Sequence, residues 1–507
     1  MAIFDSILTW VMKKRIHDIE LFMKYPIDVQ NEVFGKLIHQ AEKTEWGTKY
    51  DYKSIHSIRE FQERVPISNY ESMYPYIERL MRGENDLLWP GKLDWFAKSS
   101  GTTNAKSKFI PVSTEALEDC HYKGGKDMLS IYVNNYPAHN IFAGKTLSIG
   151  GSHQINPLNK KTRYGDVSAV IMQNMPIWAH ILRTPSLKTC LMDSWEEKLA
   201  AMLEETVDEN VTSMAGVPTW TLILLQNILE KTNKTNLLEV WPNLELFAHG
   251  AVSFTPYREI FQNLIPSPKM NYLELYSASE GFFGIQDDPS RKGELLLMLD
   301  YGVFYEFIPM DIFHDQDRTA ITLEQVQLGI NYAMVISTNA GLWRYIIGDT
   351  VKFTSLSPFR IKITGRTKHF INAFGEELMI ENAEHALAEA AKQTNAIVQD
   401  YTGAPYYFEG KSNGGHEWLI EFEKAPSDFD KFQLVFDQEL KKVNSDYEAK
   451  RQKDIALRFP IIQAVPPGTF YKWMAQRGKL GGQNKVPRMS NSRKYIDDIK
   501  EMLEKSH

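Results

Sequence analysis

The sequence predicts an α/β protein, with a large N-terminal domain of β-sheets and packed helices and a smaller α+β domain behind it. Three observations carry this. The chain has 507 residues, and a single hydrophobic core stops growing at about 250 to 300 residues, so two domains are the minimum. From residue 95 onward, short apolar runs that suit strands alternate with helical stretches, the pattern of a sheet covered by helices with substantial parallel pairing. After residue 365 the pattern shifts again, which divides the chain into 1–365 and 366–507.

In order along the chain, residues 1–12 are apolar, with Ile3, Phe4, Ile7, Leu8, Val11 and Met12 at helical spacing. Asp5 interrupts the run and Lys13-Lys14-Arg15 follows it, the wrong order for a signal peptide. It is also shorter than the ~20 apolar residues a membrane span needs, so we expect an amphipathic helix packed on the protein. Helical periodicity continues through 28–41 and 57–64, and an aromatic connection punctuated by Pro75 and Pro90 follows. Strand-like runs at 146–149, 244–247, 273–276 and 294–298 alternate with helical stretches at 194–205 and 217–228. The last part reads as a helix at 380–393, a strand at 418–422, a helix at 429–443 and a strand-like run at 456–462. The Gly/Pro-rich piece 466–482 reads as a loop, where a mobile functional segment could sit.

Composition narrows the function classes. With 57 basic and 64 acidic residues the formal charge is −7, so no global basic field exists to hold a nucleic acid. Two cysteines, Cys120 and Cys190, make neither a disulfide framework nor a metal cluster and fit a reducing compartment, the cytoplasm. No Gly-x-Ser-x-Gly elbow marks a serine hydrolase. His314, Asp315 and Asp317 match no common metal spacing and read as a solvated loop.

Five motifs carry chemistry. Ser99-Ser100-Gly101-Thr102-Thr103-Asn104-Ala105-Lys106-Ser107-Lys108 lies between two apolar runs. Its hydroxyls, Gly-freed N–H groups and lysines suit a polyphosphate, and equally a solvated hairpin loop. Gly144-Lys145-Thr146 lacks the first glycine of a Walker motif, since His139 stands there, and reads as a strand edge. Tyr276-Ser277-Ala278-Ser279-Glu280-Gly281 ends a strand with a carboxylate, which suits Mg²⁺ beside phosphates with an aromatic under a purine, or else a core tyrosine beside a surface glutamate. Asp349 follows Gly348 in Arg344-Tyr345-Ile346-Ile347-Gly348-Asp349, an acid placed for ribose hydroxyls or a plain turn residue. Thr364-Gly365-Arg366 and Asn372-Ala373-Phe374-Gly375-Glu376-Glu377 bracket the composition boundary. Lys485, in Gly481-Gly482-Gln483-Asn484-Lys485-Val486-Pro487-Arg488, is a point charge able to meet negative charge building on phosphate, or a solvated terminal lysine.

The order of these motifs resembles the adenylate-forming superfamily of acyl-CoA synthetases, luciferases and peptide-synthetase adenylation domains. Within it, the chain is most similar to the Gretchen Hagen family of acyl acid amido synthetases, the auxin-responsive enzymes of plants and their bacterial relatives. The likeness spans nearly the whole chain and rests on the run from Ser99 through Lys108 to Pro111, on Gly216-Val217-Pro218-Thr219-Trp220, on Tyr276 to Gly281 and on Lys485-Val486-Pro487-Arg488. It implies a large adenylation domain with a mobile lid, and ATP with Mg²⁺. It further implies that Ser99, Ser100, Thr102, Thr103 and Lys108 hold phosphates, with Ser279 also at the ATP site. Tyr276 stacks near adenine, Glu280 binds Mg²⁺, Asp349 holds the ribose, Arg366 serves the hinge and the nucleotide, and Lys485 reaches the α-phosphate. The acyl pocket is implied at Met172, Trp178, Val217, Thr219 and Trp220, whose character suits an aromatic or medium-length aliphatic acid. Ala105 stands where these families usually carry glycine, which puts close backbone approach there in doubt.

The expected reaction activates a carboxylic acid as acyl-AMP and passes the acyl group to an amine, expected to be an amino acid. Two other readings remain: transfer to a thiol as in an acyl-CoA synthetase, and a non-catalytic nucleotide-binding protein. Expected partners are the small-molecule acid and amine, with no nucleic acid, no membrane span and no second subunit.

Overall fold

The computed structural model describes residues 2–99, 108–149, 156–192, 194–252, 254, 257–313, 315–367, 370–407, 414–452, 456–477 and 486–505. Its first helix, Ala2–Lys24, lies against the helix Lys123–Asn135, with Met12, Ile19 and Phe22 buried. Arg15 anchors it by pairing with Asp127 at 2.9 Å and Asp300 at 2.7 Å. The helix is the one expected, and of the side chains the expectation rested on Met12 is buried, while those of Ile3, Phe4, Ile7, Leu8 and Val11 lie outside the described residues. The helix Ile58–Arg64 starts where Ser57 accepts from the Glu60 N–H, satisfying a donor that the first turn leaves orphaned.

Among the described residues the largest sheet has 12 strands. One half is parallel: Arg183–Thr184, Lys145–Ser148, Val211–Gly216, Leu246–His249 and Asn271–Ala278 lie side by side in that order. The helices Trp195–Thr206 and Pro218–Thr232 pack their apolar sides onto it, where Leu222, Leu225 and Ile228 recur at helical spacing. The other half, from Gly281–Ile285 to the edge strand Ile321–Thr322, is antiparallel throughout. Apolar runs announce strands but not their direction; Asn331–Thr338 and Tyr345–Leu356 are joined by a turn too short for a crossover, while Val303–Pro309 reaches Asn331–Thr338 by way of the edge strand Ile321–Thr322. A separate small sheet pairs Trp95–Ser99 with Lys108–Val112 and Arg163–Gly165.

The C-terminal part has its own core, in which Phe374, Leu387, Trp418, Phe436, Tyr447 and Leu457 meet. Its sheet is Ile397–Tyr407, Gly414–Lys424 and Ile461–Val465, covered by the helices Ile380–Thr394 and Phe429–Val443. Two expectations are corrected here. The last strand begins at Ile461 rather than at 456, where Ala456 and Leu457 are buried and Leu457 makes only an isolated bridge to Gly414. The stretch 466–482 is not all loop: Gly468, at φ 80°, precedes the helix Thr469–Gln476, whose Phe470, Trp473 and Met474 enter the core. Glycine and proline frame that helix, and its apolar spacing lies between them.

Candidate active site

The loop read as phosphate-binding leaves one strand and returns on its partner, because Ser99 and Lys108 are paired across the ladder. Ser100, Thr102, Thr103 and Ala105 lie outside the described residues, as does the Ser99 side chain. Lys108 projects over the ring of Tyr70, its Nζ 5.8 Å from the centroid, and Tyr70 is fixed by a hydrogen bond from the Phe109 N–H at 2.9 Å. The Lys108 charge reaches Glu280, whose ionised form it favours. Lys145, by contrast, is held by Glu209 Oε1 at 2.5 Å, the strand-edge role expected of it.

Glu280 sits in the two-residue turn Ser279-Glu280 that joins Asn271–Ala278 to Gly281–Ile285. This is the carboxyl end of the last parallel strand, where open sheets bind ligands. Burial raises the Glu280 pKa above the ordinary carboxylate value, Lys108 opposes the shift and Asp349 adds to it. A partly buried carboxylate that the charges of Lys108 and Arg366 reach, but that forms no ion pair among the described residues, suits a hard divalent ion, and magnesium is commonly held by one carboxylate plus phosphates. Glu280 supplies the hard oxygen donor that such an ion takes.

Asp349 is aimed by a bulge. Ala333 and Val335 oppose Thr350 and Ile346, so two extra residues bow out between them, and Gly348 at φ 97° takes the turn. The Tyr276 hydroxyl donates to Asp349 Oδ2 at 2.7 Å, and Arg366 Nε lies 2.9 Å from Asp349 Oδ1. Arg366 also reaches Glu377 Oε1 at 3.1 Å. Burial works against the Arg366 charge, but Glu377, Asp349 and Glu280 outweigh it and keep the guanidinium firmly protonated. Tyr276 is 5% exposed and packs edge-on to Phe283 at 5.1 Å, so its ring is not an open stacking platform in this conformation. What it offers the site is the hydroxyl on Asp349.

The candidate acyl residues spread over two elements. Met172 is buried on Val167–Asn174, and Val217 and Trp220 flank the start of Pro218–Thr232. Trp220 clusters with Ile223 and Ala456, and Lys450 Nζ stands 5.3 Å from its ring centre, so this face of the helix meets the C-terminal part. The side chains of Trp178 and Thr219, and Lys485 with its loop, lie outside the described residues, as does His314.

Sequence reasoning gave no role to Glu377 or Tyr257. Tyr257 donates to the Ala373 carbonyl at 2.8 Å, which ties the large domain to the turn that carries Glu377. Glu376 braces this turn by accepting from the Ala373 and Phe374 N–H groups while paired with buried His416 at 2.8 Å. The glycine-containing run 372–377 was a signal for a turn; what the turn touches was not written in it.

A domain of parallel strands ending in these groups, with a second domain docked beyond Arg366, defines the adenylate-forming ligase fold. A solved 2-hydroxyisobutyryl-CoA ligase bound to its acyl-AMP and CoA shares it at TM-score 0.57 and 12% identity, over 94% of this chain and 92% of that one. A solved GH3.15 acyl acid amido synthetase shares it at TM-score 0.60 and 17% identity, over 96% of both chains. The chain belongs to the GH3 family: its N-terminal domain profile matches residues 15–270, the central domain profile 296–366 and the C-terminal domain profile 381–494. The 4-substituted benzoates-glutamate ligase GH3.12 of Arabidopsis thaliana is 24% identical over 97% of both sequences.

Proposed function

We propose that this protein is an ATP-dependent acyl acid amido synthetase. The observation that carries the reading is the convergence of Tyr276, Asp349 and Arg366 beside Glu280 and Lys108, in a chain of the GH3 family. Asp349 accepts hydrogen bonds from the ribose hydroxyls, held in place by Tyr276 and Arg366. Lys108 and the 99–108 loop, with Ser99, Ser100, Thr102, Thr103 and Ser279, cradle the phosphates. Magnesium, when bound, supplies divalent charge that offsets the phosphate oxygens, and Glu280 is the residue that would hold it.

The acid's carboxylate attacks the α-phosphorus and pyrophosphate leaves, with Lys485 meeting the negative charge that builds there. The amine then attacks the acyl carbon, loses its proton and displaces AMP. No covalent enzyme intermediate is needed; positioning and electrostatics carry the rate. Met172, Trp178, Val217, Thr219 and Trp220 wall the acyl pocket, and the acid is aromatic or medium-length aliphatic. Between half-reactions the C-terminal domain, 366–507, pivots near Arg366. We place the enzyme in the cytoplasm as a monomer; no helix among the described residues is long and apolar enough to cross a membrane.

Pyrophosphate exchange across a panel of carboxylic acids tests the first half, and AMP release with amino acids or CoA added to the acyl-adenylate tests the second. Exchange with no acid refutes the reading, and faster release with CoA replaces the amide by a thioester. Lys485→Ala is expected to lose exchange while keeping ATP affinity; the reverse pattern removes Lys485 from this role.

A further inference from the structure

Four arginines are buried among the described residues: Arg15, Arg183, Arg344 and Arg451. Three have their charge met by carboxylates, Arg15 by Asp127 and Asp300, Arg344 by Glu306 and Arg451 by Asp437. Arg183, 7% exposed, pairs with no carboxylate among the described residues. Its Nη2 is directed at Met172 Sδ at 3.2 Å and Cys190 Sγ at 2.6 Å, its Nη1 lies 3.4 Å from His180 Nδ1, and its Nε has no partner. Sulfur is a weak acceptor, and a guanidinium stays charged at any relevant pH. A second buried cation, Lys198, adjoins the same group: burial holds its pKa down, while Cys190 and Asp166 oppose that shift. A buried cation without an anion is costly, and the other three arginines show that this fold otherwise avoids it.

The place of Arg183 says what the anion is for. Its strand runs parallel to Lys145–Ser148, with Arg183 opposite Thr146. Cys190, which it touches, reaches the carbonyl of Ser148 at 3.6 Å, so the guanidinium points along the strands to their carboxyl edge. That edge is where an open parallel sheet binds its ligand, and Met172 belongs to the proposed acyl wall. We propose that Arg183 binds a substrate carboxylate other than the one being activated, through the paired N–H geometry that guanidinium and carboxylate share. This rests on the proposed amido synthetase reading and narrows its substrates to carboxylate-bearing ones. The carboxylate belongs either to an amino-acid acceptor or to a second acid group on the acyl substrate.

The test uses the full chain with Arg183→Met and Arg183→Lys. Pyrophosphate exchange is measured with monocarboxylic and dicarboxylic acids, and AMP release with each amino acid and with its carboxamide, which keeps the amine and loses the carboxylate. If the acceptor supplies the group, Arg183→Met leaves exchange within about twofold and raises KM for the amino acid by about 10- to 100-fold. The carboxamide is then unaffected and Arg183→Lys restores part of the preference. If the acyl substrate supplies it, only dicarboxylic acids lose exchange. Arg183→Met is also expected to melt no lower than wild type, since it removes an uncompensated charge. Unchanged preferences in a folded variant overturn the proposal, as does a lowered melting temperature with equal losses on all substrates. A wild type without exchange refutes the amido synthetase reading instead. In that case, thermal stabilisation by amino acids but not by their carboxamides, abolished in Arg183→Met, still supports the carboxylate site, and equal shifts refute it.

Discussion

Asp349 and Arg366 are partners across a β-ladder, with Arg366 Nε 2.9 Å from Asp349 Oδ1, and the same guanidinium spans the domain junction to Glu377. One arginine therefore ties the proposed ribose carboxylate to the first turn of the C-terminal part.

Removing Glu377 should loosen that tie without touching the nucleotide. Glu377→Gln is expected to leave ATP affinity nearly intact and to broaden the distribution of domain arrangements in small-angle scattering of the apo protein. A scattering curve identical to wild type would show that Tyr257 and the Trp220 contacts hold the domains unaided.

Tyr276 orients Asp349 through one hydrogen bond to a charged acceptor, an interaction worth about 1.5 to 3 kcal/mol. Tyr276→Phe keeps the ring and its packing on Phe283, so KM for ATP in pyrophosphate exchange should rise about tenfold with little change in melting temperature. A loss of stability without a change in KM would make Tyr276 a packing residue alone.

Glu280 titrates above the ordinary carboxylate range because burial disfavours its charge. As pH falls through that raised value the proposed metal ligand becomes neutral, so activity should fall on an acid limb set above the usual glutamate pKa. Magnesium competes with the proton, and raising its concentration should move the limb to lower pH. Glu280→Gln should abolish this magnesium dependence of the limb; a limb that ignores magnesium would assign it to another group.

His121 and His249 are buried and neutral, their pKa values lowered by desolvation to about 4 and about 3. A folded-state value below the unfolded one means that the unfolded chain binds the extra proton. The stability these residues contribute is present above about pH 6.5 and is lost as pH falls toward 4 and 3, by up to about 1.4 kcal/mol per histidine per pH unit. Denaturant unfolding between pH 7 and 5 should show this slope, and His121→Phe should flatten it; an unchanged slope would place the protons elsewhere.

Much of this was legible along the chain. Helices with an apolar face, such as Phe429–Val443, follow from local periodicity, and a turn such as Gly348-Asp349 is marked by the residue that tolerates φ 97°. The amphipathic N-terminal helix and the second core beyond residue 365 were visible for the same reason. Strand direction in the 281–366 half was not, because pairing depends on which segments meet rather than on what each contains.

By itself the sequence determined the element types, the motif order and the family, since these depend on neighbours a few residues apart. Only the tertiary structure decided that Tyr276 is buried with its hydroxyl on Asp349, that Glu377 shares Arg366, and that buried Arg183 pairs with no carboxylate among the described residues. Tyr276 and Asp349 stand 73 positions apart in the chain, and Arg366 and Glu377 stand 11 apart across the junction. Burial and charge pairing are properties of what packs around a side chain, and no stretch of sequence states them.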